Sequence, residues 1–73
     1  MSNEASLPLR LIDDAECERL TGLSRTERWR REKAGTFPKR VKLGGRVRVG
    51  WVESEIFDWI RDRIAERDRV KAA

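Results

Sequence analysis

A three-residue interruption at positions 21–23 separates two stretches that each open with a helix-capping signature, and no other feature constrains the fold as strongly. Asp13 suits the N-cap position, because its carboxylate can accept the free backbone N–H of Glu16, whose own side chain can reciprocate. We therefore predict a first helix over residues 14–20. Gly22 ends this helix, since glycine adopts a positive φ without strain.

The second stretch begins directly after the interruption. Ser24 and Glu27 have the spacing of a capping box, and mostly good helix formers follow as far as Ala34. Gly35 then stands where a C-terminal glycine is common. The sequence therefore predicts a second helix over residues 25–34. Two short helices joined by so brief a turn form a helix-turn-helix.

The predicted second helix has very little apolar surface. Trp29 is its only large apolar side chain, so we expect this ring to anchor the helix on the core. The other faces of the helix are then free to contact a partner. Neighbouring apolar surface would come from Leu23, Ala34 and the aliphatic stems of Arg28 and Lys33. Some of its charged residues could instead form ion pairs with each other on a solvated surface. These residues are Arg31 and Lys33, which could pair with Glu27 and Glu32.

After Pro38 the apolar period changes from that of a helix to the two-residue period of a strand. The apolar positions enclose a pair of glycines, which predicts a β-hairpin with a three-residue loop at 44–46. That register places Lys42 opposite Arg48, and opposed cations favour an anion between them. We therefore interpret the hairpin as a phosphate-contacting wing with Arg46 at its tip. The apolar pairs in this register are Leu43 with Val47 and Val41 with Val49.

The last predicted element is an amphipathic helix, with apolar residues at helical spacing and acidic residues on the opposite face. We expect Trp51, Trp59 and Phe37 to pack in the core rather than to stack on bases. The chain then divides into a flexible arm over residues 1–8, one domain over residues 9–67 and a flexible tail over residues 68–73. The apolar face carries Val52, Ile56, Trp59, Ile60 and Ile64, and the acidic face carries Glu55, Asp58, Asp62 and Glu66.

Charge is concentrated in the middle of the chain. Residues 24–50 hold ten cations and two acids, a net charge of +8, whereas the whole chain carries +4. Residues 1–23 are net −3 and residues 51–73 net −1. A one-sided basic surface is typical of proteins that bind a polyanion, most often nucleic acid. The alternative is an ordinary solvated run of charges.

Composition excludes several other classes of protein. The chain has 73 residues, enough for one domain with a small core, and its single Cys17 allows neither an internal disulfide nor a zinc cluster. Apolar runs are too short for a membrane span or a signal peptide. The chain contains no His and no Tyr, so we expect no enzymatic activity, no cofactor and no metal. These features favour a cytoplasmic protein.

Five segments with nearly fixed spacing run Leu20-Thr-Gly-Leu-Ser24-Arg25, Trp29-Arg30, Ala34-Gly35-Thr-Phe-Pro38, Val41-Lys-Leu-Gly44, and Gly50-Trp51-Val-Glu-Ser-Glu55 through Asp58-Trp59-Ile60. Over residues 9–67 they resemble the AlpA-like phage regulators, which are related to small excisionases. The resemblance implies an α+β fold, a MerR-like winged helix-turn-helix, that binds DNA through the second helix and the wing. It also implies a transcription regulator or an excisionase (recombination directionality factor) of a prophage or integrative element. Such a protein would be bacterial or phage-encoded and associated with the nucleoid. One departure is that many relatives carry an aliphatic residue where Arg28 stands.

The candidate DNA contacts follow from both arguments. The first turns of a recognition helix usually meet base edges, and Arg25 and Arg30 are our candidates for contacts with guanine. The wing should mainly hold phosphates. The recognition-helix residues are Ser24, Arg25, Thr26, Arg28 and Arg30, and the wing residues are Lys42, Arg46 and Arg48.

Double-stranded DNA is therefore the expected partner. Further copies of the chain, bound cooperatively on repeated sites, and an integrase are additional candidate partners. An alternative function is a small protein-interaction module, an adaptor or antitoxin that binds an acidic partner. Binding that is insensitive to salt would distinguish that module from a DNA-binding protein.

Overall fold

A computed structural model of the chain describes residues 9–72, so the arm predicted over residues 1–8 lies outside the described residues. The structure contains three α-helices and a three-stranded antiparallel sheet in the order β1-β3-β2. The strands are β1 Leu11–Ile12, β2 Val41–Lys42 and β3 Val49–Val52, and the helices are α1 Asp14–Thr21, α2 Arg25–Lys33 and α3 Glu53–Ala72. The chain is therefore a small α+β winged helix-turn-helix, as the sequence predicts.

Both helices of the helix-turn-helix begin at the predicted N-caps, and each ends within one residue of the predicted position. The carboxylate of Asp13 accepts the N–H of Glu16 at 2.9 Å. Gly22 ends α1 at φ 75°. Ser24 and Glu27 form the reciprocal capping box at the start of α2. Because each cap satisfies backbone donors that a short helix leaves free, both helices are specified locally.

Strand β1 is not anticipated by the sequence analysis. Ile12 pairs with Trp51 and Leu11 with Val52, and the N–H of Glu53 donates to the carbonyl of Arg10 at 2.7 Å. A strand of two residues leaves almost no periodic signal, so it is visible only through its pairing. The pairing also places Trp51 and Val52 in β3, which corrects the prediction that Val52 begins the apolar face of the last helix.

The predicted hairpin register is wrong by one residue. Lys42 pairs with Val49, not Arg48, and the N–H of Leu43 donates to the carbonyl of Arg48 at 3.0 Å. The loop is therefore four residues long, residues 44–47. Two successive glycines at φ 104° and 69° provide the backbone conformation for this longer turn. As a result Val47, expected in the apolar pair with Leu43, is largely exposed.

The core lies between α1, the sheet and the first turns of α3. The expected packing of Phe37 and Trp51 is confirmed, and Trp59 packs edge-on to Phe37 with ring centroids 5.0 Å apart. Gly50 is buried where a Cβ would come within 2.9 Å of the carbonyl oxygen of Ile12. The buried apolar residues are Ile12, Cys17, Phe37, Trp51 and Ile56.

The predicted anchor of α2 is wrong. Trp29 is 51% exposed, whereas the neighbouring Arg28 is 1% exposed and occupies the inner face of the helix. At the other end of the chain, α3 continues to Ala72. Residues 68–72, assigned from the sequence to a flexible tail, are therefore helical in the structure.

Candidate nucleic-acid interface

The buried side chain on α2 belongs to a charged network that joins the two helices of the helix-turn-helix. Arg28 contacts Asp14 at 2.8 Å and Glu18 at 3.5 Å, both from α1. Its Nε donates to the carbonyl of Leu23 at 3.1 Å, and its guanidinium lies 5.3 Å from the ring centroid of Trp51. Arg28 therefore holds α1 and α2 together, and it is not part of the exposed surface where the sequence analysis placed it.

The sequence contains a signal for this network that the analysis missed. Asp14 and Glu18 lie one turn apart on the same face of α1, and α2 offers no aliphatic residue to cover them. A cation at the inner position of α2 is the group that two such carboxylates select.

The remaining recognition-helix candidates lie at the surface. Arg25, Thr26 and Arg30 are exposed on α2. Ser24 is also exposed, but its hydroxyl already accepts the N–H of Glu27 at 3.2 Å as part of the cap. The helix thus presents two arginines and one hydroxyl on its outer side.

The wing candidates are exposed as well. Arg46 lies in the four-residue turn, and Lys42 and Arg48 lie on the two arms of the hairpin. Because the register differs from the predicted one, Lys42 and Arg48 do not oppose each other. Arg48 instead occupies the position opposite Leu43, and side chains alternate between the two faces of a strand. The pairing of strands therefore provides no opposed cations to hold an anion. The evidence for phosphate contacts by the wing is the exposure of its cations and their lack of carboxylate partners among the described residues.

A groove connects the recognition helix to the wing. It has a volume of about 460 Å³, and Arg25 from α2 and Arg48 from the hairpin both line it. The acidic residues on its wall are engaged elsewhere, since Asp14 pairs with Arg28 and Asp13 caps α1. The other lining residues are Ala15, Arg28, Arg40, Leu43, Val47 and Val49.

The pattern of ion pairs distinguishes this surface from the rest of the molecule. Most exposed arginines on α1 and α3 have carboxylate partners, such as Arg19 with Glu16, Arg61 with Asp58 and Arg69 with Glu66. The exception is Arg63, which has no carboxylate partner among the described residues and lies 5.6 Å from the ring centroid of Trp59. Among the side chains of residues 9–70, no carboxylate lies within 4.0 Å of the cationic groups of the outer α2 face or the wing. Those groups belong to Arg25, Arg30, Lys42, Arg46 and Arg48.

The pKa shifts do not indicate acid–base chemistry at this surface. Burial raises the pKa of the Cys17 thiol, and the nearby positive charge of Arg28 opposes that shift. The pKa of Arg19 is raised by its hydrogen bond to Glu16. Within the described part of the chain, no group of three or more His, Cys, Asp or Glu side chains is placed to hold a metal ion. None of the helices described is long and apolar enough to cross a membrane.

A tightly capped helix-turn-helix followed by a basic hairpin defines a small winged-helix protein with one cationic face. The comparison with known families agrees: residues 10–64 match the family described as prophage CP4-57 regulatory protein (AlpA). A relative, the uncharacterized protein ORF88 of Enterobacteria phage P4, is 40% identical over 60 residues, which cover 82% of this chain and 67% of that protein. The chain belongs to the AlpA family of prophage regulatory proteins. No solved structure matches it.

Proposed function

We propose that this protein binds double-stranded DNA sequence-specifically and regulates a prophage or integrative element, as a transcriptional regulator or as an excisionase. The observation that supports this most is the set of cations on the outer α2 face and the wing for which the described residues provide no carboxylate partner. Exposed cations without internal partners are free to neutralise phosphates. Each such contact displaces counterions that are condensed on the DNA. The family's regulatory description agrees with this proposal. Nucleoid association would follow from DNA binding.

The proposed binding mode has α2 in the major groove. Arg25 and Arg30 are exposed on this helix, and an arginine that donates two hydrogen bonds to guanine is the commonest specific contact in that groove. Arg48 lines the same groove as Arg25. The wing can therefore reach the backbone beside the same base pairs, where Lys42, Arg46 and Arg48 hold phosphates.

One module of this size has a small footprint, roughly 600–1,000 Å² of buried protein surface. We therefore propose that several copies bind cooperatively on repeated sites. Titration of a natural site tests this, since independent binding with one affinity for every repeat would contradict it. An excisionase should also bend its attachment site and act with an integrase, whereas a promoter regulator needs neither.

The proposal is tested by selecting bound fragments from a DNA pool and measuring Kd on selected and unrelated duplexes at several salt concentrations. We expect Arg25→Ala to lose about 1–3 kcal/mol on selected DNA only. Arg48→Ala should weaken binding to both duplexes and reduce the salt slope by about 1. Arg61→Ala is the matched control, because Arg61 is exposed but paired with Asp58 on α3.

Two results would contradict the proposal. Equal losses for Arg61→Ala and Arg25→Ala would mean that only total charge matters. If the protein binds none of the duplexes at any salt concentration, an acidic protein partner would be favoured instead.

A further inference from the structure

The exposed aromatic ring on α2 needs an explanation that the core does not provide. Trp29 is 51% exposed, and the inner position beside it is filled by Arg28. Singly exposed apolar residues are common, but a half-exposed tryptophan on a charged helix leaves a large apolar area in water. The ring therefore has no role in the interior that would account for it.

Cations surround this ring. A groove of about 280 Å³ joins it to Arg25, Thr26 and Arg40, and a second groove of about 330 Å³ joins it to Lys33 and Lys39. The ammonium of Lys33 lies 5.0 Å from the ring centroid. The one acidic residue on these walls, Glu32, already accepts hydrogen bonds from Arg40.

The ring also shares a helix face with a proposed base contact. Arg25 and Trp29 are separated by one helical turn, so their side chains lie side by side on α2. If Arg25 reaches a base edge, the ring lies against the neighbouring base pair. The major groove presents one apolar group at the base edges, which is the C5-methyl group of thymine.

We propose that Trp29 is a specificity-determining residue that contacts the methyl group of a thymine next to the base read by Arg25. This inference rests on the proposed DNA-binding function. The phosphates neutralise the cations around the ring, and the methyl group covers apolar surface that is otherwise exposed to water. The chain then reads an A·T pair through van der Waals contact beside a guanine read through hydrogen bonds.

The test combines a protein change with a DNA change. Each thymine of a selected duplex is replaced in turn by deoxyuridine, which removes only the methyl group, and Kd is measured for wild type and Trp29→Ala. We expect one position at which the replacement weakens wild-type binding about fourfold, the value for loss of one buried methyl group. The same replacement should leave Trp29→Ala unchanged, and Trp29→Phe should keep part of the effect.

Controls separate the inference from the function on which it rests. Ile64→Ala removes an exposed apolar side chain from α3 and should retain the deoxyuridine effect, while circular dichroism verifies that every variant is folded. Equal deoxyuridine effects in wild type and Trp29→Ala overturn the inference but leave DNA binding intact. Weakening by Trp29→Ala on all duplexes alike, with no sensitive thymine, indicates a backbone contact and also overturns it.

Two further outcomes are decisive. If the wild type binds no duplex in a salt-dependent way, both the inference and the proposed function fail. If sedimentation shows a wild-type dimer that Trp29→Ala dissociates, with sequence preference unchanged, the ring is a contact between copies of the chain and not a base contact.

Discussion

The two faces of α2 reverse the usual arrangement of a helix in a small domain, in which the inner face is apolar and the outer face is polar. The inner face carries Arg28, which is 1% exposed, and the outer face carries Trp29, which is 51% exposed. Hydropathy would assign these two neighbours the other way round. The inner residue contacts the carboxylates of Asp14 and Glu18 and the ring of Trp51. The outer residue lines two grooves in which cations outnumber acidic residues.

Partners on neighbouring elements, and not the residue's own hydropathy, determine which side of α2 is buried. Asp14 and Glu18 keep 44% and 55% of their side-chain surface exposed. Only one of the three charges therefore loses its water, and it gains two carboxylates in exchange. The aliphatic stem of Arg28 also contributes apolar area to a core that has little. The aromatic ring is consequently left outside, where a partner can use it.

The largest expected effect comes from removing the carboxylates that face the buried guanidinium. Asp14→Asn combined with Glu18→Gln leaves Arg28 buried without a counter-charge, and we expect a loss of about 3–5 kcal/mol in the free energy of unfolding. That is a large part of the stability of a domain this small. Urea unfolding followed by tryptophan fluorescence measures it.

Asp58→Asn is the matched control for the carboxylate variants, because Asp58 belongs to an exposed pair with Arg61. It should lose no more than about 1 kcal/mol. Similar losses for the control and the double variant would remove the distinction between the two faces of α2.

The next largest effect concerns the sheet that holds Trp51 beneath Arg28. Gly50→Ala places a methyl group within 2.9 Å of the backbone carbonyl of Ile12 and 3.0 Å of Leu43. We expect a loss of about 1–3 kcal/mol, since the backbone must shift to accommodate it. Urea unfolding again provides the measurement. A variant as stable as the wild type would show that β1 does not pack as closely on β3 as described.

The sequence predicts the elements that are specified locally and misses those that depend on distant partners. Both caps and both glycine stops of the helix-turn-helix follow from residues within one turn of each other. Strand β1 and the burial of Arg28 depend on residues far along the chain. The predicted hairpin register was wrong because a pair of glycines permits loops of more than one length.

The candidate interface follows the same division. The concentration of cations in residues 24–50 is visible in the sequence, and so is their distribution over a helix and a hairpin. Their pairing is not visible. Only the structure distinguishes Arg28, which α1 engages, from Arg25 and Arg30, which have no partner among the described residues.

A smaller effect is expected when the buried charge itself is replaced. Arg28→Met removes an Nη2 group that is buried without a hydrogen-bond partner among the described residues, and it keeps apolar contact with Trp51. The half-exposed carboxylates remain hydrated, so we expect a change of about 1 kcal/mol or less in either direction. Arg28→Met should keep the preference for selected DNA, whereas Arg25→Met should lose it. A loss of DNA binding without a loss of stability in Arg28→Met would return Arg28 to the interface.

The smallest effect is the pH dependence of the stability that the buried thiol of Cys17 on α1 contributes. Burial raises the pKa of Cys17 above its ordinary value of 9.0, so the folded protein keeps the thiol protonated to higher pH than the unfolded chain does. Stability from Cys17 is therefore fully present below the unfolded pKa and is lost as pH rises through the folded value. The stability difference between wild type and Cys17→Ala should therefore shrink as the pH rises above the ordinary pKa of 9.0. A constant difference would contradict the burial of this thiol.

We propose that the outer face of α2 and the wing form the DNA-binding surface. An NMR titration with a selected duplex tests this assignment residue by residue. Side-chain and backbone NMR signals of the labelled protein are recorded as a selected duplex is added. We predict that the shifts cluster at Arg25, Trp29 and Arg30 and in the wing at residues 42–48, while Arg28 Nε–H and the α3 signals beyond residue 60 change little. Shifts concentrated on α3, or equal at Arg28 and Arg25, would contradict the claim.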